Sequence, residues 1–168
     1  MKIVILSSLG NERAKICLDS LLETAPNADF DLYLFREKGF REQTLNYALE
    51  VVGTQDDILF IGDDILFSPG WYEALQAHSG RAQILGMSML YTDSEMVQDC
   101  GYDLMGDKSL LEPLNRGKRH QDLKPFDFRF CDAVCGCFLY IKAEVFDHVS
   151  TFSEKGVNRW GEFIFIAE

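Results

Sequence analysis

The run Ile58-Leu59-Phe60-Ile61 is apolar at every position and is closed by Gly62-Asp63-Asp64. A short, continuous apolar run bounded by turn residues is what a strand covered on both faces requires, so the chain is expected to build a sheet with layers on either side. Two adjacent carboxylates where such a strand runs out do not belong in a core, because an unpaired carboxylate in an apolar interior costs several kcal/mol or more. Carboxylate oxygen suits a hard divalent cation, Mg²⁺ or Mn²⁺, that keeps open positions for phosphate oxygens. Asp63 and Asp64 are therefore candidate metal ligands, Asp64 foremost. The plain alternative is an exposed acidic turn ahead of the next helix, for which Ser68 is the nearer cap.

The length of 168 residues fits a single domain. Sixteen Lys and Arg against 27 Asp and Glu leave a net charge of −11, which repels nucleic-acid phosphate and anionic membrane. No apolar stretch reaches the roughly 18 residues of a spanning helix, and Met1 to Leu6 is too short a run for a signal peptide, so a cytoplasmic location is expected. Five cysteines, an odd number, point to reduced thiols rather than a disulfide framework.

The periodicity predicts alternating elements. Residues 2 to 6 form a β-branched run expected as a central strand. Ala14, Cys17, Leu18, Leu21 and Leu22 have the spacing of an amphipathic helix, with Asn11 as its cap. Phe30 to Phe35 is expected as a strand, and Leu45, Ala48, Leu49 and Val52 as a helix ending near Gly53. Ser68 and Pro69 are expected to start a further helix through Trp71, Tyr72 and Leu75. Residues 83 to 87 return as a strand, 91 to 103 as a hairpin, and 131 to 141 as a long strand before a short helix over 143 to 149. Residues 104 to 126, with two glycines, two prolines and the basic residues Arg116, Lys118 and Arg119, are expected as a mobile loop. The order implies an open parallel sheet with ligands beyond the carboxyl ends of its strands, where the two aspartates lie.

Four stretches resemble family 2 of the inverting glycosyltransferases, which have the GT-A fold: Ile61-Gly62-Asp63-Asp64-Ile65 with Pro69-Gly70-Trp71; Leu90 to Asp93 through Gln98 and Gly101; Asp132-Ala133-Val134 with Gly136 and Leu139-Tyr140-Ile141; and Val145-Phe146 through Phe152 to Trp160-Gly161-Glu162. The resemblance implies a nucleotide-diphospho-sugar transferase fold, with a mostly parallel central sheet and helices on both faces. It further implies a nucleotide-binding part over 1–103, the loop 104–126 and an acceptor-side part over 127–168. Gly62-Asp63-Asp64 would be the variant of the family's DxD motif, holding Mn²⁺ or Mg²⁺ against the diphosphate of a UDP-, GDP- or dTDP-sugar. Gly39-Phe40 leading to Asn46 resembles the segment that faces the nucleotide, which makes Arg41 and Asn46 candidate contacts to base or phosphate; a plain helix start is the alternative. Ser7 lies in the first loop of the same crevice. Gly136 would let the donor sugar approach the backbone, or else mark a bend in a long strand. Asp93 and Gln98 border the donor pocket by the same resemblance, or are surface polar residues.

An inverting transferase needs a carboxylate to take the proton of a saccharide or other hydroxyl acceptor as that oxygen attacks. By resemblance this is Glu162, although Phe163 follows where the family has a second acid and Phe165 replaces a later one. A surface Glu is the alternative. The sequence ends soon afterwards, which is expected to reflect a truncation, a minimal domain, or a homo-oligomer or partner domain that supplies the cover. A non-catalytic nucleotide-sugar-binding domain and a metal-dependent phosphohydrolase remain as rival functions. The first loop has one glycine and does not match the dinucleotide fingerprint G-x-G-x-x-G, which disfavours an oxidoreductase. A zinc site at Cys131, Cys135 and Cys137 requires Gly136 to break the strand, because an extended chain holds the first and last about 20 Å apart. Arg116 to Arg119 form either a solvated loop or a lid that closes on diphosphate.

Overall fold

The computed structural model describes residues 1–8, 10–37, 39–105, 110–123 and 128–152. Glu162 lies outside them. The described elements are strand β1 (Lys2–Ser7), helix α1 (Asn11–Thr24), β2 (Asp31–Arg36), α2 (Arg41–Val52), β3 (Ile58–Gly62), α3 (Trp71–His78), β4 (Ile84–Leu85), β5 (Met89–Leu90), β6 (Val97–Asp99), β7 (Tyr102–Met105), β8 (Leu110–Pro113) and β9 (Phe138–Ile141). The main sheet has the order β2-β1-β3-β9-β4. β1 runs parallel to β2 and β3, whereas β9 runs antiparallel to both β3 and β4. The sheet is thus mostly parallel, with one reversed strand inside it.

Side-chain alternation sorts the apolar runs onto two faces. Ile3, Ile5, Leu59, Ile61, Phe138 and Tyr140 pack against Cys17 and Leu21 of α1 and Trp71 and Leu75 of α3. Val4, Leu6, Ile58, Phe60, Leu139 and Ile141 pack against Leu45, Ala48, Leu49 and Val52 of α2 and against Val145 and Phe152. Both faces of β1, β3 and β9 are covered, which is why those strands show no polar alternation. β2 is one of the two edge strands, and its Leu34 is 58 % exposed.

Several local expectations are corrected. α1 follows Gly10, not an Asn11 cap, and α3 follows Gly70, whose φ of 89° is left-handed; Ser68 serves the turn before it, its carbonyl accepting from Trp71 N at 3.3 Å. The reversed strand is short. Its expected first half, 131 to 137, leaves the sheet: Tyr102 N donates to Ala133 O at 2.8 Å, and Gly136 and Cys137 occupy a turn closed by Phe138 N on Cys135 O at 3.3 Å. β4 ends at Leu85 because that crossing chain lies against it; a Cβ at Gly86 would stand 2.8 Å from Val134 Cβ. The described residues within 104–126 are not structureless. They carry β8, which pairs with β7, and a 3-10 turn at His120–Asp122. The short helix after β9 is likewise a 3-10 turn, Ala143–Asp147.

One end of the sheet is tied by polar contacts. Lys2 Nζ donates to Val52 O at 2.6 Å and pairs with Asp56 at 3.0 Å. Asp57 accepts from the Tyr140 hydroxyl and from Ala143 N at 2.9 Å.

Phe60 is fully buried and meets Phe152 edge-on at 5.6 Å. Phe60→Ala is expected to cost about 3–5 kcal/mol, read as a lower urea midpoint with an unchanged slope.

Candidate functional site

The opposite end of the sheet gathers the candidate residues. β1, β2 and β3 are parallel, so their carboxyl ends share one rim, and the reversed β9 brings its amino end to the same place through the pair Ile61 with Phe138. Ser7 closes β1, Glu37 follows β2, Asp63 and Asp64 follow β3, and Gly136 and Cys137 precede β9. Arg41 opens α2 above them.

Asp63 is 3 % exposed and accepts a hydrogen bond from Ser7 Oγ on Oδ2 at 2.7 Å, while its own N–H donates to Leu6 O at 3.2 Å. Asp64 is exposed. Its carboxylate folds back over Gly62: a Cβ there would lie 2.6 Å from Asp64 Oδ1 and 3.8 Å from Arg41 Nη2, so the absence of a side chain at position 62 leaves the space that Asp64 uses. Arg41 Nη2 donates to Gly136 O at 3.0 Å, and Arg41 Nη1 lies 3.5 Å from Glu37 Oε1. Gly62 N donates to Cys137 O at 3.1 Å, which joins the turn before β9 to the aspartates. The structure therefore brings Ser7, Arg41, Asp63, Asp64 and Gly136 to one rim.

Asn46 does other work in this arrangement. Its Nδ2 donates to Phe152 O at 3.0 Å and its Oδ1 accepts from Phe152 N at 2.7 Å, pinning α2 to the chain that follows β9. Asp93 sits at the tip of the β5–β6 hairpin with a φ of 59°, and Gln98 lies on β6, its carbonyl accepting from Arg116 Nε at 2.9 Å. Lys118 Nζ donates to Asn115 Oδ1 at 3.0 Å.

Two ionisable groups at the rim had not been singled out in the sequence. Glu37 has a carboxyl pKa raised by burial, opposed by Arg41 and reinforced by Asp63, Asp64 and Glu42. The signal for it was a carboxylate one residue past a strand of the same sheet. Cys17, on α1, lies beneath the aspartates with Sγ 3.6 Å from Gly62 O; burial first, then Asp63 and Asp64, push its thiol up to about 12, so it stays neutral. Negative charge thus outweighs positive around Arg41, which is the electrostatic setting for a cation.

A cavity of about 620 Å³ lies to the side, between α3, β4 and residues 128–135, lined among others by Leu75, His78, Gly86, Phe128 and Cys135. The rim residues do not line it. Of the two aspartates only Asp64 is exposed; Asp63 is buried. Cys135, Gly136 and Cys137 are the stretch that connects cavity and rim.

No protein-family model matches the sequence, and no curated protein does. Among solved structures, the chain is similar to A197 from STIV, with a TM-score of 0.51 and 12% identity over 96% of this chain and 73% of that one, which shows a shared fold. It also aligns with 4-diphosphocytidyl-2C-methyl-D-erythritol synthase from Anaerococcus prevotii, with a TM-score of 0.47 and 9% identity over 94% and 80% of the two chains. Among the described residues no helix is long and apolar enough to cross a membrane.

Because the folded pKa of Glu37 exceeds the ordinary 4.5, the folded state binds its proton more tightly than the unfolded state. The stability linked to this group is complete below that ordinary value and is lost as pH rises through the raised one. Glu37→Gln is expected to raise Tm near neutral pH relative to wild type. The difference should vanish in acid, as measured by thermal melts across pH.

Proposed function

We propose that this protein is a metal-dependent glycosyltransferase of the GT-A type, which takes a sugar from a nucleotide-diphosphate sugar and passes it, with inversion, to a saccharide or other hydroxyl acceptor. One observation carries the reading: a buried carboxylate, an exposed carboxylate, a guanidinium and a side-chain-free backbone position converge on the rim where ligands of open α/β sheets bind.

The residues suit Mn²⁺ or Mg²⁺. Their donors are hard oxygens in a surplus of negative charge. Among the described residues, no three His, Cys, Asp or Glu side chains are grouped as a cage for a metal. That suits Mg²⁺, which uses one or two carboxylates and completes its shell with water and substrate phosphates. Asp64 is the exposed ligand. Asp63, held by Ser7, fixes the turn that presents it. A cation bound here would supply neutralisation of the charge that develops on a departing diphosphate. Arg41 adds fixed positive charge beside that position and anchors the Gly136 carbonyl, the position proposed to take the sugar. Glu162 is assigned the proton of the acceptor hydroxyl on its Gly161-Glu162 context. Phe163 at the next position favours a second reading, a domain that binds nucleotide sugar without turnover.

A thermal-shift panel of UDP-, GDP- and dTDP-sugars with and without Mn²⁺ tests the binding step. At about 100 times the dissociation constant the matching pair should add about 2.7 kcal/mol, or about 5–10 °C. Metal alone should add little, and Asp64→Asn should abolish the metal-dependent part. An unchanged response in that variant refutes the ligand assignment. Turnover with acceptor separates transferase from binding domain, and Glu162→Gln should remove it.

A further inference from the structure

Cys135, Gly136 and Cys137 form the turn that leads into β9, and the turn places two thiols side by side. Phe138 N on Cys135 O closes it, and Cys137 N points at Cys135 Sγ at 3.5 Å. Both side chains are half-buried at this turn, and Cys135 also neighbours the buried Asp99. On an extended strand they would also have projected to one side, but with their Cα atoms nearly 7 Å apart by the ~3.3 Å rise per residue, at the limit for a bridge.

The other three cysteines are engaged differently. Cys17 Sγ contacts Gly62 O, Cys131 Sγ contacts Ala133 O at 3.2 Å, and Cys100 Sγ contacts Leu114 O at 3.3 Å. Cys135 and Cys137 are only partly buried, and Cys135 lines the 620 Å³ cavity, which offers a small reagent a route.

From this geometry we infer that Cys135 and Cys137 are a redox-active dithiol that exchanges with low-molecular-weight disulfides to form a bridge across Gly136. The exchange has two steps. Cys137, as thiolate, attacks one sulfur of the reagent disulfide, breaking its S–S bond; the thiolate released takes up the proton that Cys137 lost. The Cys135 sulfur then attacks the Cys137 sulfur of the mixed disulfide, gives up its proton, and expels the second reagent thiolate, which is protonated in turn. The protein loses two electrons and two protons, and the reagent disulfide gains them as two thiols. The neighbouring Cys135 holds the Cys137 thiol below its ordinary value, with burial, Asp64 and Asp99 opposing and Arg41 assisting. The backbone of the same turn is held at the rim by Arg41 on Gly136 O and by Gly62 on Cys137 O, so closing the ring would act on the peptide next to Asp63 and Asp64.

The native, full chain is equilibrated in glutathione buffers of graded oxidised-to-reduced ratio, quenched in acid, alkylated under denaturing conditions and weighed. The expected product has lost two hydrogens, labels at three of its five cysteines, and on digestion yields a single peptide bridged between Cys135 and Cys137. In Cys135→Ser the bridge is replaced by a stable glutathione adduct on Cys137. Five labelled thiols at every ratio overturn the inference, as does a bridge that maps to any other pair. The peptide map is made on the unaltered protein, so the outcome stands even if a variant fails to fold.

Discussion

The reversed direction of β9 is the constraint on which the site depends. A buried strand must satisfy its backbone donors and acceptors on both sides, and β3 does so with β1 on one flank and β9 on the other. Had β9 run parallel, its carboxyl end would have met the rim. Running antiparallel, it delivers its entry turn instead, so that Gly136 and Cys137 face Arg41 and Gly62, 95 and 75 positions before them in the chain. The pair of Ile61 with Phe138 sets how far along the rim that turn reaches.

Charge at this rim is held in two ways. Asp63 is withdrawn from water and partnered by Ser7, while Asp64 remains in contact with solvent and borrows the empty space over Gly62. Neighbouring carboxylates so different in environment do different things: the buried one shapes the turn, and the exposed one is available to a ligand. Arg41 joins the Gly136 carbonyl to Glu37, linking the entry of β9 to the residue after β2.

Much of the sheet was legible because β1 and β3 carry apolar residues at every position, and α1 and α2 show helical spacing against them. Asp63 and Asp64 stood out for the same reason, as carboxylates at the stop of such a run. What the sequence concealed was set by contacts distant in the chain. Residues 131–137 read as strand from composition, yet Tyr102 draws off Ala133 and the turn at Gly136 ends the pairing. The hairpin of β7 and β8 was masked by the glycines and prolines around it, although Leu104 and Leu111 face each other across it. Helix starts at Gly10 and Gly70 depend on left-handed or unusual backbone angles that composition does not encode. Glu37 gained its raised pKa only from neighbours that the fold supplied.

The two ends of the sheet are built to opposite specifications. At the amino ends of β1 and β3, Lys2 and Asp57 tie strand, helix and loop together with polar contacts. At the carboxyl ends, acids crowd one another around the Arg41 guanidinium. Robustness and reactivity are thereby segregated along the strand axis: changes at the tied end weaken the scaffold alone, whereas neutralising Glu37 at the crowded end relieves repulsion and firms the fold at the expense of whatever that repulsion was kept for.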